Sequence, residues 1–164
     1  MGQAKSRKDG IAELVAETDC LEAVARSMVE SCEPADRIQD FALVFHAIGR
    51  SDGQDLYLIH ELASYSSHRV ASLQALRWEY EAKQVRQYSI LGTLEAAYYL
   101  DGRNILKNGE MLVIGTRNRT DSYWRGFIIE RDASGLVMGL TPCLEGRGAF
   151  PGPSDLSELL RSDR

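Results

Sequence analysis

Three histidines, His46, His60 and His68, and three cysteines, Cys20, Cys32 and Cys143, are the side chains of this chain best suited to ligate a metal or attack an electrophile. His60-Glu61 opens like the zinc-protease motif HExxH, in which two histidines one helical turn apart share a face and hold the ion. Ser64 stands where the second histidine belongs, so that ligand pair is broken. His60 and His68 would be separated by about 12 Å along a helix, too far to share one metal. Phosphate-binding loops are missing as well: the chain has neither GxxxxGK[ST] nor GxGxxG, and Gly146-Arg147-Gly148 reads as a loop. There is no GxSxG elbow to project a serine nucleophile, and Ser64, Ser66 and Ser67 read better as helix caps than as partners of His68. Cys143, which follows Pro142 at the exit of a predicted strand, retains a route to nucleophilic chemistry if His46 or His68 serves as its base. Against it stands the ordinary reading of a lone cysteine as a small buried apolar residue. The sequence therefore assigns no catalytic residue, metal ligand or cofactor, and favours a role other than enzyme.

Charge is the stronger signal. The net charge of −5 conceals a run from Asp9 to Glu61 in which twelve acidic residues face three basic ones, whereas Leu62 to Arg131 is net positive. An anionic helical surface repels phosphates and speeds encounter with basic partners. Glu13, Glu17, Glu30 and Asp40 are the carboxylates expected to hold a more basic protein. The plainer alternative is that they form the solvated side of amphipathic helices. A different surface is suggested by Arg117, Arg119, Tyr123, Trp124 and Arg125 on one hairpin, where arginines clamp phosphates and aromatics stack on bases. Asp121, Glu130 and Asp132 lie among them, so cross-strand ion pairs around a core tryptophan compete with nucleic-acid binding.

The elements that position these groups change character along the chain. Ile11, Leu14, Val15, Leu21, Val24, Ala25, Met28 and Val29 keep helical spacing, as one helix or as two meeting near Thr18, where Asp19 and Glu22 have capping-box spacing. Pro34 suits the first turn of a second helix, with Ile38, Phe41, Ala42, Phe45 and Ile48 on one face and Gly49 as its cap. Ser51-Asp52-Gly53 marks a turn, and Leu56 to Leu62 fits helix slightly better than strand. Val70 to Tyr80 and Leu91 to Tyr98 continue a broken helical period until Asp101-Gly102. From there β-branched and aromatic residues predict strands over Met111–Thr116, Tyr123–Glu130 and Leu136–Thr141, with hairpin-like connectors at Asn118–Asp121 and Asp132–Gly135. Ser154 caps a predicted short helix from Asp155 to Arg161.

With 164 residues, 44% hydrophobic and 26% charged, the chain matches one ordinary globular domain. Its apolar runs are far short of the roughly 18 residues that a membrane span requires. The odd, sparse cysteines predict free thiols in a reducing cytoplasm. Met1 to Lys8 forms a basic N-terminal arm without the apolar region of a secretory signal. Its Met1-Gly2-Gln3-Ala4-Lys5-Ser6 start also fits the pattern for acylation of Gly2. The expectation is an α+β domain over 9–164, helical from 9 to 101 and β-rich from 105 to 150. Its N-terminal helices pack on a small antiparallel C-terminal meander, and a short helix ends it. The expected function is a non-catalytic cytoplasmic protein-binding factor of inhibitor, immunity or regulatory type. A nucleic-acid module over 117–131 and a small enzyme near Cys143 are the alternatives.

Overall fold

The structure, a computed structural model, describes residues 2–30, 38, 41–62, 69–100, 105–150, 159 and 160. It is mixed α+β, with two helices and one six-stranded sheet among the described residues. Helix α1 spans Gly2–Val29 without interruption, so the run expected as one or two helices is one. Leu14, Thr18, Leu21 and Ala25 form its buried stripe, spaced three and four residues apart as a helix with one wet face requires.

The described part of the expected second helix is not helical: Phe41 and Ala42 lead into strand β1, Leu43–Ser51, which holds Phe45 and Ile48. Leu43, Phe45, Ala47 and Gly49 are buried while Val44, His46 and Ile48 between them are half-buried, a period of two. Gly49 ends no helix. A Cβ there would lie 2.6 Å from the Lys83 carbonyl oxygen, so glycine permits that close backbone approach. Leu56 to Leu62 is also strand, within β2, Gln54–Leu62. Asp52 and Gly53 both take positive φ, 51° and 76°, and join β1 to β2 in a tight two-residue turn. The expected helix at Val70 to Tyr80 is found as α2, Arg69–Ala82. Its expected continuation at Leu91 to Tyr98 is part of strand β3, Gln87–Leu100.

The three predicted strands are β4, Ile105–Asn118, β5, Ser122–Arg131, and β6, Val137–Arg147. All pairings are antiparallel and the order is β2-β1-β3-β4-β5-β6. The meander is therefore the C-terminal part of a wider sheet; among the described residues α1 precedes the whole sheet and α2 lies between β2 and β3. Asp155–Arg161, apart from residues 159 and 160, lies outside the described residues, as do Pro34, Asp40, Cys32, Ser64, Ser66, Ser67, His68 and Asp101-Gly102. No described helix is long and apolar enough to cross a membrane.

The two faces of the sheet build two cores. On one, α2 sends Leu73, Leu76 and Tyr80 against Phe45, Tyr88, Ile90 and Val113, joined by Phe150, Leu159 and Leu160. Tyr80, Tyr88 and Phe150 stack edge to face and tilted, with centroids 5.9 and 6.2 Å apart. On the other, α1 sends Leu21 and Ala25 against Leu91, Leu112, Ile114, Phe127 and Leu140. A buried hydroxyl chain fixes the position of α1 there. Thr18 gives its proton to the Leu14 carbonyl at 2.8 Å, so Thr116 at 3.2 Å must donate to Thr18, and Ser89 at 2.9 Å to Thr116.

Candidate protein-binding surface

Where α1 ends its coverage, no other described element covers that face of the sheet. α1 packs over β4, β5 and β6 and reaches β3, and the same face of β1 and β2 lies beyond it. The strand register puts His46 beside Ile59, Ile48 beside Tyr57 and Val44 beside Glu61 on that uncovered area. Tyr57 and Ile59 are 70% and 68% exposed, the two most exposed large apolar side chains among the described residues. Between them and α1 runs a groove of about 160 Å³ whose walls include Glu17, His46, Ile48, Tyr57, Ile59 and Ser89. Scattered single apolar residues on a surface are ordinary, whereas a paired row beside a groove is a candidate contact site.

Glu13 and Glu17 stand one turn apart on α1, so they share a side of the helix. Glu17 enters the groove, and the charge of Glu13 is felt by Arg86. Glu30, just past the C-terminal end of α1, is about 20 Å farther along the helix axis than Glu17 and belongs to a different area. Asp40 is outside the described residues. The acidic run is also partly neutralised by the later strands. Arg125 donates to Asp19 at 2.5 Å and to Glu22 at 3.3 Å. Arg86 holds Asp55 at 2.7 and 3.2 Å, which lowers the Asp55 pKa below the ordinary carboxylate value and raises that of Arg86. What remains anionic beside the apolar row is Glu13 and Glu17 on α1 and the exposed Glu61 on β2.

The arginine and aromatic residues of β4 and β5 are engaged internally. Burial acting alone would lower the pKa of Arg125, but its bonds to Asp19 and to the Tyr123 hydroxyl outweigh burial and raise it. Tyr123 is buried, and its hydroxyl donates to Glu145 at 2.7 Å, so burial first and that carboxylate second raise its pKa. Trp124 packs against the α2-side core, with its ring so close to Gly146 that a Cβ there would lie 2.9 Å away. Arg119 donates to the Val85 carbonyl at 3.3 Å, and Arg117 also has a partner. Tyr123 is buried and Trp124 half-buried against the core, and the Arg125 guanidinium already serves two carboxylates.

Cys143 lines a cavity of about 310 Å³ with Glu22, Arg125, Phe127, Pro142 and Glu145. Burial pushes its thiol pKa up, which disfavours the thiolate a nucleophile needs. His46 sits on β1, separated from β6 by β3, β4 and β5, and His60 is held on the opposite face by Glu79 at 3.0 Å. Neither can act as its base. Among the described residues no group of three or more histidines, cysteines and carboxylates is placed to hold a metal, and Cys20 and Cys143 are free thiols.

The apolar row was legible in part. Tyr57 and Ile59 alternate with Leu56 and Leu58 in a strand pattern, and Asp52-Gly53 is a strong hairpin signal. What the sequence could not supply is which face of the hairpin a helix would cover. No family model, no curated protein and no solved structure matches this chain.

Proposed function

We propose that this protein is a non-catalytic cytoplasmic binding factor, of inhibitor or regulatory type, that holds a basic and partly apolar segment of another protein between α1 and the β1–β2 hairpin. The observation that carries the reading is the pair Tyr57 and Ile59, left 70% and 68% exposed next to Glu17. An apolar row gives affinity by leaving water, and an anionic rim selects the sign of the partner's charge. This narrows the expected acidic surface from the whole helical run to the Glu13 and Glu17 side of α1 together with Glu61. The exposed, free Cys20 agrees with a reducing compartment.

Two short peptides, one composed of Lys and Val and the other of Glu and Val, test the reading by titration calorimetry. The Lys peptide should bind and the Glu peptide should not. Ile59→Ser should weaken the complex about tenfold, from the apolar burial it removes. Glu17→Lys should weaken it and flatten its salt dependence. Equal binding of both peptides, or affinity indifferent to Ile59→Ser and Glu17→Lys alike, would remove the proposal. The arginine hairpin supports a nucleic-acid reading less well, since Arg125 and Tyr123 are committed to carboxylates.

A further inference from the structure

The two edges of the sheet are built differently. β6 carries Pro142, and its pairing with β5 shifts register at Gly126/Phe127 and at Glu130/Arg131. Proline and bulges are the devices by which an edge strand refuses another strand. β2 has none of these. Its nine residues pair with β1 in unbroken register from Leu43 opposite Leu62 to Ser51 opposite Gln54, and it contains neither proline nor lysine.

The register also says which backbone groups of β2 are unused. A two-residue hairpin closes on Ser51 and Gln54 as a hydrogen-bonded pair, and such pairs recur at every second residue. Leu56, Leu58 and His60 therefore direct their N–H and C=O groups at β1. Tyr57, Ile59 and Glu61 direct theirs away from the sheet, and no described residue hydrogen-bonds to them. These are the residues whose side chains form the exposed row, so apolar contact, negative charge and free backbone polarity coincide on one edge.

We infer that a partner segment of alternating basic and apolar residues adds to β2 as a seventh strand of the sheet. This rests on the binding role proposed above and specifies its geometry. In such a strand the basic residues lie on the α1 side, with their aliphatic stems over Tyr57 and Ile59 and their charges toward Glu17 and Glu61. The apolar residues alternate onto the α2 side, beside the half-buried Leu56 and Leu58. Charge argues against a second copy of this chain as the occupant. The antiparallel register that sets Tyr57 against Ile59 of another copy also sets Glu61 opposite its Asp55, a carboxylate already paired with Arg86, so β2 of a second copy offers Glu61 no basic side chain. Like charges directly opposed are destabilising, and each copy also brings its own Glu17 to that groove.

The test uses the full chain and three peptides of identical Lys and Val content: strictly alternating, arranged with helical periodicity, and alternating with every second backbone nitrogen methylated. The alternating peptide should bind best. Methylation should weaken it at least about tenfold, because more than one intermolecular hydrogen bond is lost. Hydrogen exchange at the amides of Tyr57, Ile59 and Glu61 should slow on binding, while Leu56 and Leu58, already bonded to β1, should not change. Ile59→Pro, which removes an outward N–H and no bond to β1, should reproduce the effect of methylation. Binding that survives methylation, or is equal for the helical arrangement, overturns strand addition and leaves the basic-segment reading standing. Failure of every Lys peptide overturns both. A concentration-dependent dimer abolished by Ile59→Pro would assign the edge to a second copy and overturn the inference.

Discussion

Substituting Thr116 by Val tests whether the hydroxyl chain from Ser89 through Thr116 and Thr18 to the Leu14 carbonyl holds α1 in place. Thr116 and Thr18 are 0% exposed and Ser89 2%, so no water can take over a lost partner. Valine keeps the shape and adds an apolar methyl in place of the hydroxyl, a gain of about 0.8 kcal/mol. It also removes two hydrogen bonds, each worth about 1 kcal/mol, and leaves the Ser89 proton buried without an acceptor, a further cost of about 1–2 kcal/mol. The net expectation is a loss of about 2–3 kcal/mol, read as a shift in the urea midpoint at unchanged slope, or a fall in Tm of about 5–10 °C. The triple variant Ser89→Ala, Thr18→Val, Thr116→Val removes donors and acceptors together and orphans nothing. It should cost clearly less than the sum of its single substitutions. If the triple variant costs as much as that sum, the three hydroxyls are not coupled and the reasoning fails. Because Glu17 adjoins Thr18, a displaced helix would also move that carboxylate out of the groove, which links this stability measurement to the binding surface.

Arg125→Met should lower stability by about 1–2 kcal/mol at low salt by releasing Asp19 and Glu22 from β5, with a smaller loss at high salt, as thermal melts at two ionic strengths would show. Asp55 is held below its ordinary pKa of 3.8 by Arg86, so its folded value lies beneath its unfolded one. The stability it contributes is present above that ordinary value and is lost as pH falls through the lower folded value. Asp55→Asn should therefore be less stable than the parent near neutral pH, and the two denaturation curves should converge in strong acid. In iodoacetamide labelling followed by peptide mass spectrometry, exposed Cys20 should react ahead of Cys143, whose thiol is half-buried and pushed toward the protonated form.

Sequence alone established the class of the fold, its β-rich C-terminal part and much of its polarity. The strands at Met111–Thr116, Tyr123–Glu130 and Leu136–Thr141 were legible because alternation and β-branched residues are local properties, and α1 was legible because its buried stripe from Leu14 to Ala25 repeats over about three turns. The broken HExxH at Ser64 and the lack of phosphate loops were equally plain, since a motif fails wherever one residue is wrong. The stretch from Phe41 to Leu62 was not readable in the same way. Phe41, Phe45 and Ile48 satisfy a helical period and Leu43, Phe45 and Ala47 a strand period, and a short apolar run cannot choose between them. Long-range pairing chose: β1 lies between β2 and β3, and from Val44 to Ile48 it pairs on both sides, which only the strand form permits. Tertiary structure likewise decided which charges stay available. Asp19, Glu22 and Asp55 are paired with Arg125 and Arg86, residues distant in the chain, while Glu13 and Glu17 remain beside an apolar row that no described helix covers. Local composition records how many carboxylates there are, but which of them meets an arginine depends on how the sheet folds back beneath α1.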